Sequence, residues 1–423
     1  MSNIINKILV ALTAFALSAG AAYSQKILIP MDLAQTDHLK AYGITYWHLS
    51  EGGTAEWLLN YRGGSFMMDY SERLAAECTI RGVSFDNITG AEASAIYAEV
   101  GDENKNMDVV KLEKAPKIAV YAPPGAQPWD DAVRLVLDYA EIKHDIIWDE
   151  EVMNGKLKDY DWLHLHHEDF TGQHGKFWSR YQYEPWYVQQ VALNDAMAKK
   201  LGFAKVPELK KAVALKMRQF VADGGFLFAM CSATDTYDIA ISALNVDIAP
   251  PMFDGDDADP DANNKLDYSN TLAFKDFKVV LDPYTVEFSD IDVAPTNIDN
   301  PDGDYFTLFD FSAKYDPVPT MLTQCHVNVI KGFLGQTTAF HKRFIKNAVT
   351  ILAQKDGTDE VRYIQGNLGR GSFAWYGGHD PEDYQHAVGD PPTDVSLHKN
   401  SPGYRLILNN VLFPAAKKKK QKT

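Results

Sequence analysis

Residues able to do chemistry gather at three places in the sequence. The first is Ala229-Met230-Cys231-Ser232-Ala233, inside "GGFLFAMCSATDTYD", where an apolar strand runs into a cysteine and then into residues that can open a helix. A nucleophile presented on a strand-to-helix elbow needs small residues two before and two after it, because the turn brings those positions against neighbouring backbone. Ala229 and Ala233 meet that need, less fully than glycine would. The helix start favours a thiolate. The opposing reading is a small buried residue, since free cysteine is among the most buried residue types.

The second place is "GRGSFAWYGGHDPEDYQH", a strand that ends in Gly377-Gly378 and then presents His379, Asp380 and Glu382. A histidine behind two glycines can approach a site, and a nearby carboxylate can orient it as a base. The plainer alternative is that Asp380-Pro381 opens a turn which His379 caps. The third place is "DWLHLHHEDFTGQHG". On a strand His164 and His166 share one face and His167 takes the other. With Glu168, Asp169 and His174 nearby there are enough ligands for a divalent metal, and a hydrogen-bonded polar strand end reads equally from the same residues.

Elements must carry these residues to one place. "KILIPMD" reads as a strand, "TDHLKAYGITYWHL" as a helix and "TAEWLLNYRGG" as a second strand. "APKIAVYAPPG" is a strand stopped by Pro-Pro-Gly, "PWDDAVRLVLDYA" an amphipathic helix, and "KHDIIWD" and "DYDWLHLHHED" are strand-like. "PELKKAVALKMRQFVADGG" is a helix that ends at a Gly pair and delivers the chain into the Cys231 strand. "FHKRFIKNAVTILAQK" predicts a further helix, and "GRGSFAWYGGHD" a last strand. Strand, helix, strand at this spacing predicts an α/β fold with a doubly wound parallel sheet, and ligands of such sheets gather outside the carboxyl ends of the strands. All three places fall at such ends. Residues 25–114 form an N-terminal α/β region and 115–412 the main domain. That domain carries loop-rich insertions at about 170–210 and 250–305, and a basic tail covers 413–423.

An elbow cysteine followed much later by a strand ending in histidine, with a glutamate beyond, resembles the class I glutamine amidotransferase-like superfamily. "GRGSFAWYGGHD" is similar to the closing strand of its trehalose-utilisation-type branch. The resemblance covers mainly residues 115–385. It implies a flavodoxin-like sheet and a triad in which Cys231 is the nucleophile, His379 the base and Glu382 its orienter, with no cofactor. Gly172 is the candidate for an oxyanion-hole backbone. Two departures stand out: alanine flanks the cysteine where active members favour glycine, and Asp380-Pro381 intervenes between His379 and Glu382. An asparagine synthetase B reading does not fit, because Ser2 stands where that enzyme has its cysteine and no SGGxDS-type loop occurs.

Composition narrows the field. Hydrophobic residues at 46% and charged residues at 23% describe a globular chain, and 423 residues suffice for a sizeable core. The first 24 residues, with one early lysine, an apolar run from Ile8 to Leu17 and small residues before Gln25, have the layout of a cleavable signal peptide. Export to a periplasm or beyond is the expectation, with no stable membrane anchor. A net charge of −16, moving to −17 without residues 1–24, repels nucleic acid. Three cysteines, Cys78, Cys231 and Cys325, leave at least one free thiol. Cys325-His326 are strand neighbours that point apart, and the acidic run Asp254–Asp267 reads as a solvated loop without an EF-hand's spacing.

Three readings follow. One is an exported thiol hydrolase acting on an amide through Cys231, His379 and Glu382 or Asp380. Another is a silent fold member whose aromatic insertions, with Trp178, Tyr181, Tyr183, Trp186 and Tyr187, and with His167 as a further binding candidate, grip a sugar, a small molecule or a protein partner. The last is a metal-dependent hydrolase using His164, His166 and His379.

Overall fold

The structure is a computed structural model that describes residues 25–125, 129–293, 303–384 and 387–416. The signal-peptide segment and most of the basic tail lie outside the described residues.

The N-terminal region builds a sheet of its own from β1 (Lys26–Ile29), β2 (Ala55–Leu59), β3 (Ser65–Asp69), β4 (Asp86–Ile88) and β5 (Asp108–Leu112), in the order β4-β1-β3-β2-β5. Every pairing in it is antiparallel. The β1-helix-β2 unit is therefore split, with β3 lying between its two strands, where the spacing had predicted a parallel neighbour.

The main sheet begins with β6 (Ile118–Tyr121), β7 (Asp145–Ile147), β8 (Trp162–Leu165) and β9 (Phe226–Met230). It continues with β10 (Tyr305–Leu308), β11 (Val329–Lys331), β12 (Phe340–His341), β13 (Thr350–Gln354), β14 (Glu360–Leu368) and β15 (Gly371–Tyr376). The path is β11-β10-β13-β14-β15-β9-β8-β6-β7, with β12 beside β14. Its half β7-β6-β8-β9-β15 is wholly parallel. Numbered along the chain those five strands run 2-1-3-4-5, the flavodoxin order. The other half is antiparallel, so the sheet is mixed.

Parallel strands buried on both faces read as unbroken apolar runs, and these do. Ile118, Val120, Phe226, Phe228 and Met230 face one core, while Ala119, Tyr121, Leu227 and Ala229 face the other. The first core also takes the helices Ala132–Tyr139 and Pro402–Leu412, and with them His38–Ser50 from the N-terminal unit. Helices Val206–Ala222 and Ala233–Ser242 cover the second. The N-terminal unit thus shares one face of its sheet with the main domain, while Leu28, Leu58, Met67, Ile88, Ile96 and Val100 form a smaller core of its own on the other.

Two expectations fail locally. The segment "FHKRFIKNAVTILAQK" forms β12, a short turn of helix and β13; its β-branched Val349, Thr350 and Ile351 fit a pleated strand better than a helix. The 170–210 insertion is largely helical, with Trp178–Tyr181 and a long helix Pro185–Lys200 whose proline opens its first turn. The 250–305 insertion holds the short helices Pro251–Asp254 and Ala262–Lys265, with residues 294–302 outside the described residues. Among the described residues, no helix is long and apolar enough to cross a membrane.

Candidate functional site

Strand β8 ends at Leu165, so its side-chain alternation stops there and His167 is not sent to the opposite face. The rings of His166 and His167 lie 5.3 Å apart, and His167 stacks on His379 at 5.7 Å. A hydrogen-bonded chain runs through the cluster. His164 Nδ1 meets the Phe228 carbonyl at 3.1 Å, and His164 Nε2 meets His166 Nδ1 at 3.1 Å. His166 Nε2 in turn meets His379 Nδ1 at 3.1 Å. Behind them stands Asp131, with Oδ1 at 3.4 Å from His164 Nε2 and 3.6 Å from His166 Nδ1.

Asp131 caps the helix Ala132–Tyr139, accepting from the N–H groups of Val133 and Arg134. Burial opposes its charge, yet the facing imidazoles of His164 and His166 hold its carboxyl well below the usual carboxylate range. Nothing in the sequence pairs Asp131 with the histidines; its one legible signal is an aspartate at a helix start. Glu168, also buried, accepts from the His166 N–H at 2.8 Å, and burial pushes it up to about 8.

The cysteine sits at a true elbow. Cys231 is the first residue past β9 and holds φ at 49°, left-handed backbone that costs a non-glycine residue on the order of 1–3 kcal/mol. The two histidine-bearing segments clamp the turn: Cys231 N–H donates to the Gly378 carbonyl at 3.0 Å, and Ala233 N–H to that of His166 at 3.2 Å. Cys231 Sγ accepts from the Gln336 N–H at 3.4 Å. Burial pushes the thiol up to about 11, while the N–H groups of Gln336, Ser232 and Thr337 pull the other way. Gln336, which the sequence reading missed, acts through its backbone, and no side-chain type announces that.

Beside the elbow lies a cavity of about 330 Å³ lined by Cys231, His167, Gln336, Trp129, Phe177 and Tyr181, with Arg180 and Glu287 also on its wall. The Gln336 side chain ties its walls together, donating to the carbonyls of Gly175 and Val286. Lys176 Nζ does the same for Val280, Asp282 and Glu287. Of the aromatic residues singled out in the sequence, Trp186 packs behind Trp129 and Phe177, Trp178 lies edge-on to Tyr284, and Tyr183 is 88% exposed.

Other sequence candidates go elsewhere. Gly172 lines a separate small polar cavity with His174 and Lys210, and a side chain there would meet Pro207 at 2.7 Å, so close packing accounts for it. The Glu382 carboxylate lies 3.1 Å from His398 Nδ1 and accepts from Tyr384, away from the role of orienting His379. Asp380 is buried and bound by the Tyr404 hydroxyl at 2.8 Å. Cys325 Sγ does approach His326 Nδ1, at 3.9 Å, because the segment is irregular and strand alternation does not apply. Beside the acidic loop, Lys205 forms ion pairs with Asp247, Asp254 and Asp256. All three cysteines are free.

No protein-family model matches the chain, and no curated protein does. Among solved structures it is similar to the cytoplasmic protein STM3548 from Salmonella typhimurium, with 12% identity, 71% of this chain and 100% of that one covered, and a TM-score of 0.34. A second is the cytoplasmic protein STM1381 from Salmonella typhimurium LT2, with 12% identity, 71% and 99% covered, and a TM-score of 0.31. The exo-beta-1,4-mannosidase Op5Man5 from Opitutaceae bacterium strain TAV5 follows at 10% identity, 69% and 35% covered, and 0.27. At such scores these likenesses carry no argument about this chain.

Proposed function

We propose that the chain is a thiol hydrolase of the amidotransferase-like kind, acting outside the cytoplasm on a small molecule that bears an amide bond. The observation that carries this reading is the left-handed backbone at Cys231, held between strand and helix beside a cavity of substrate size. Sulfur attacks the amide carbon and its proton passes to His379. The C–N bond then breaks, the leaving amine takes that proton, and water hydrolyses the resulting thioester. In place of Glu382, the chain His166–His164–Asp131 orients His379. With the thiol pushed up to about 11 the sulfur is S–H at neutral pH, so its proton must leave during attack.

The second reading, a silent binding protein on the same fold, is favoured by the 1% exposure of Cys231. Chloroacetamide labelling of the folded protein, read by mass spectrometry, separates the two, with half-buried Cys325 as internal reference. Under the first reading Cys231 labels faster than Cys325 and slows at least about tenfold in His379→Gln. Labelling of Cys231 only after unfolding sinks it.

A further inference from the structure

We infer that His166, His167 and His379 form a three-imidazole site for a transition-metal ion, with Asp131 as its outer support. The inference does not rest on the thiol reading. One ring nitrogen from each of the three lies within 4.8 Å of the others. His166 Nε2 and His379 Nδ1 are 3.1 Å apart, which suits a shared hydrogen and equally suits two ligands of one ion. With bonds of about 2.0–2.1 Å that separation subtends roughly 100° at the metal, between octahedral and tetrahedral values. A modest swing of each ring off the line joining them aims both lone pairs at the common point.

The surroundings match what such a site requires. A ligating histidine is normally held through its second nitrogen by a carboxylate or a similar acceptor. His166 Nδ1 faces His164 Nε2 at 3.1 Å and Asp131 Oδ1 at 3.6 Å, and the Asp131 carboxylate is itself fixed at a helix start. His164 therefore supports rather than ligates, and His167 takes the place in the ligand set expected of His164 from its strand position. His167 is the half-buried member and lines the cavity, so the remaining coordination positions open towards a small ligand. The acidic trio Asp247, Asp254 and Asp256 is the contrasting case, because Lys205 already fills it. Three imidazoles favour Zn²⁺ and its neighbours over Mg²⁺ or Ca²⁺, which take oxygen ligands. An ion here replaces the hydrogen shared by His166 and His379, so the metal-bound state and the proton chain exclude each other.

The test is calorimetric titration of chelator-treated protein with Zn²⁺, repeated with Co²⁺ and read by its visible absorption. One equivalent should bind, at least tenfold more weakly in His167→Ala and in His379→Ala. Asp131→Asn should weaken it by about 10–100-fold, as outer-shell changes do. His341→Ala, a histidine paired with Asp359 outside the cluster, and Cys231→Ser should leave it unchanged. His167 is half-buried, so its variant keeps the question open to a clear answer should the His379 variant not fold. No saturable binding, binding indifferent to His167→Ala, or binding lost in Cys231→Ser overturns the proposal. Labelling of Cys231 in metal-free protein judges the thiol reading separately.

Discussion

Asp235, in the first turn of the helix after the elbow, is fully buried, and burial pushes its carboxyl up to about 7 despite hydrogen bonds from Thr337 and Ser289. Its folded value lies above its unfolded one, so between about pH 4 and pH 7 the native state holds the extra proton. Stability from this group is complete at low pH and falls as pH rises through that window. Asp292 and Asp238, also raised by burial, act with the same sign. Asp235→Asn should therefore gain stability relative to the parent chain between pH 5 and pH 7.5, by about 1–3 kcal/mol; urea unfolding at the two pH values measures it, and an unchanged difference refutes it. Asp131 has the opposite sign, its folded value being lowered. Asp131→Ala should cost about 3 kcal/mol at neutral pH, by stranding buried imidazoles and uncapping a helix. Thermal melts of the parent and variant would show it.

At the scale of elements, close approach overrides local preference. Gly43 lies inside the helix His38–Ser50, where alanine would ordinarily gain about 1 kcal/mol. A Cβ at Gly43 would sit 1.9 Å from the Ala140 carbonyl oxygen, so the helix must move off the helix Ala132–Tyr139 to admit it. Gly43→Ala should thus destabilise by about 2 kcal/mol, the reverse of the propensity sign, in chemical denaturation. Similar competition decided how much could be read from sequence. The parallel strands were legible because burial on both faces leaves unbroken apolar runs such as Phe226–Met230. β13 was not, because "AVTILAQ" satisfies helical and strand spacing alike and only its neighbours β10 and β14 choose between them. The elbow cysteine and the histidines announced themselves by residue type. The partners Asp131 and Gln336 did not, since one arrives through a cap more than thirty residues upstream and the other through a backbone N–H.

At the scale of the whole molecule, one of the apolar cores is shared by both sheets. Tyr42 and Leu39 of the N-terminal unit pack with Val133 and Leu137 of the main domain and with Leu406 of the helix Pro402–Leu412. Arg405, fully buried on that helix, donates to the Met31 carbonyl and to the Tyr42 hydroxyl, stitching the two sheets from between. Residues 115–416 alone should therefore expose an apolar face and bind a hydrophobic dye, whereas a self-sufficient domain would not. The helix Pro402–Leu412 buries Leu406, Ile407, Leu408, Val411 and Leu412 completely. That burial is worth on the order of 10 kcal/mol, comparable with the whole net stability of a domain. A ribosome delivers this keystone after every strand of both sheets has been made. Until it emerges the two sheets should stay unlocked from each other, and the arrival of the helix Pro402–Leu412 should close them in one cooperative step. A chain stopped after Ser401 should stay in that unlocked form, with fast amide exchange in both sheets.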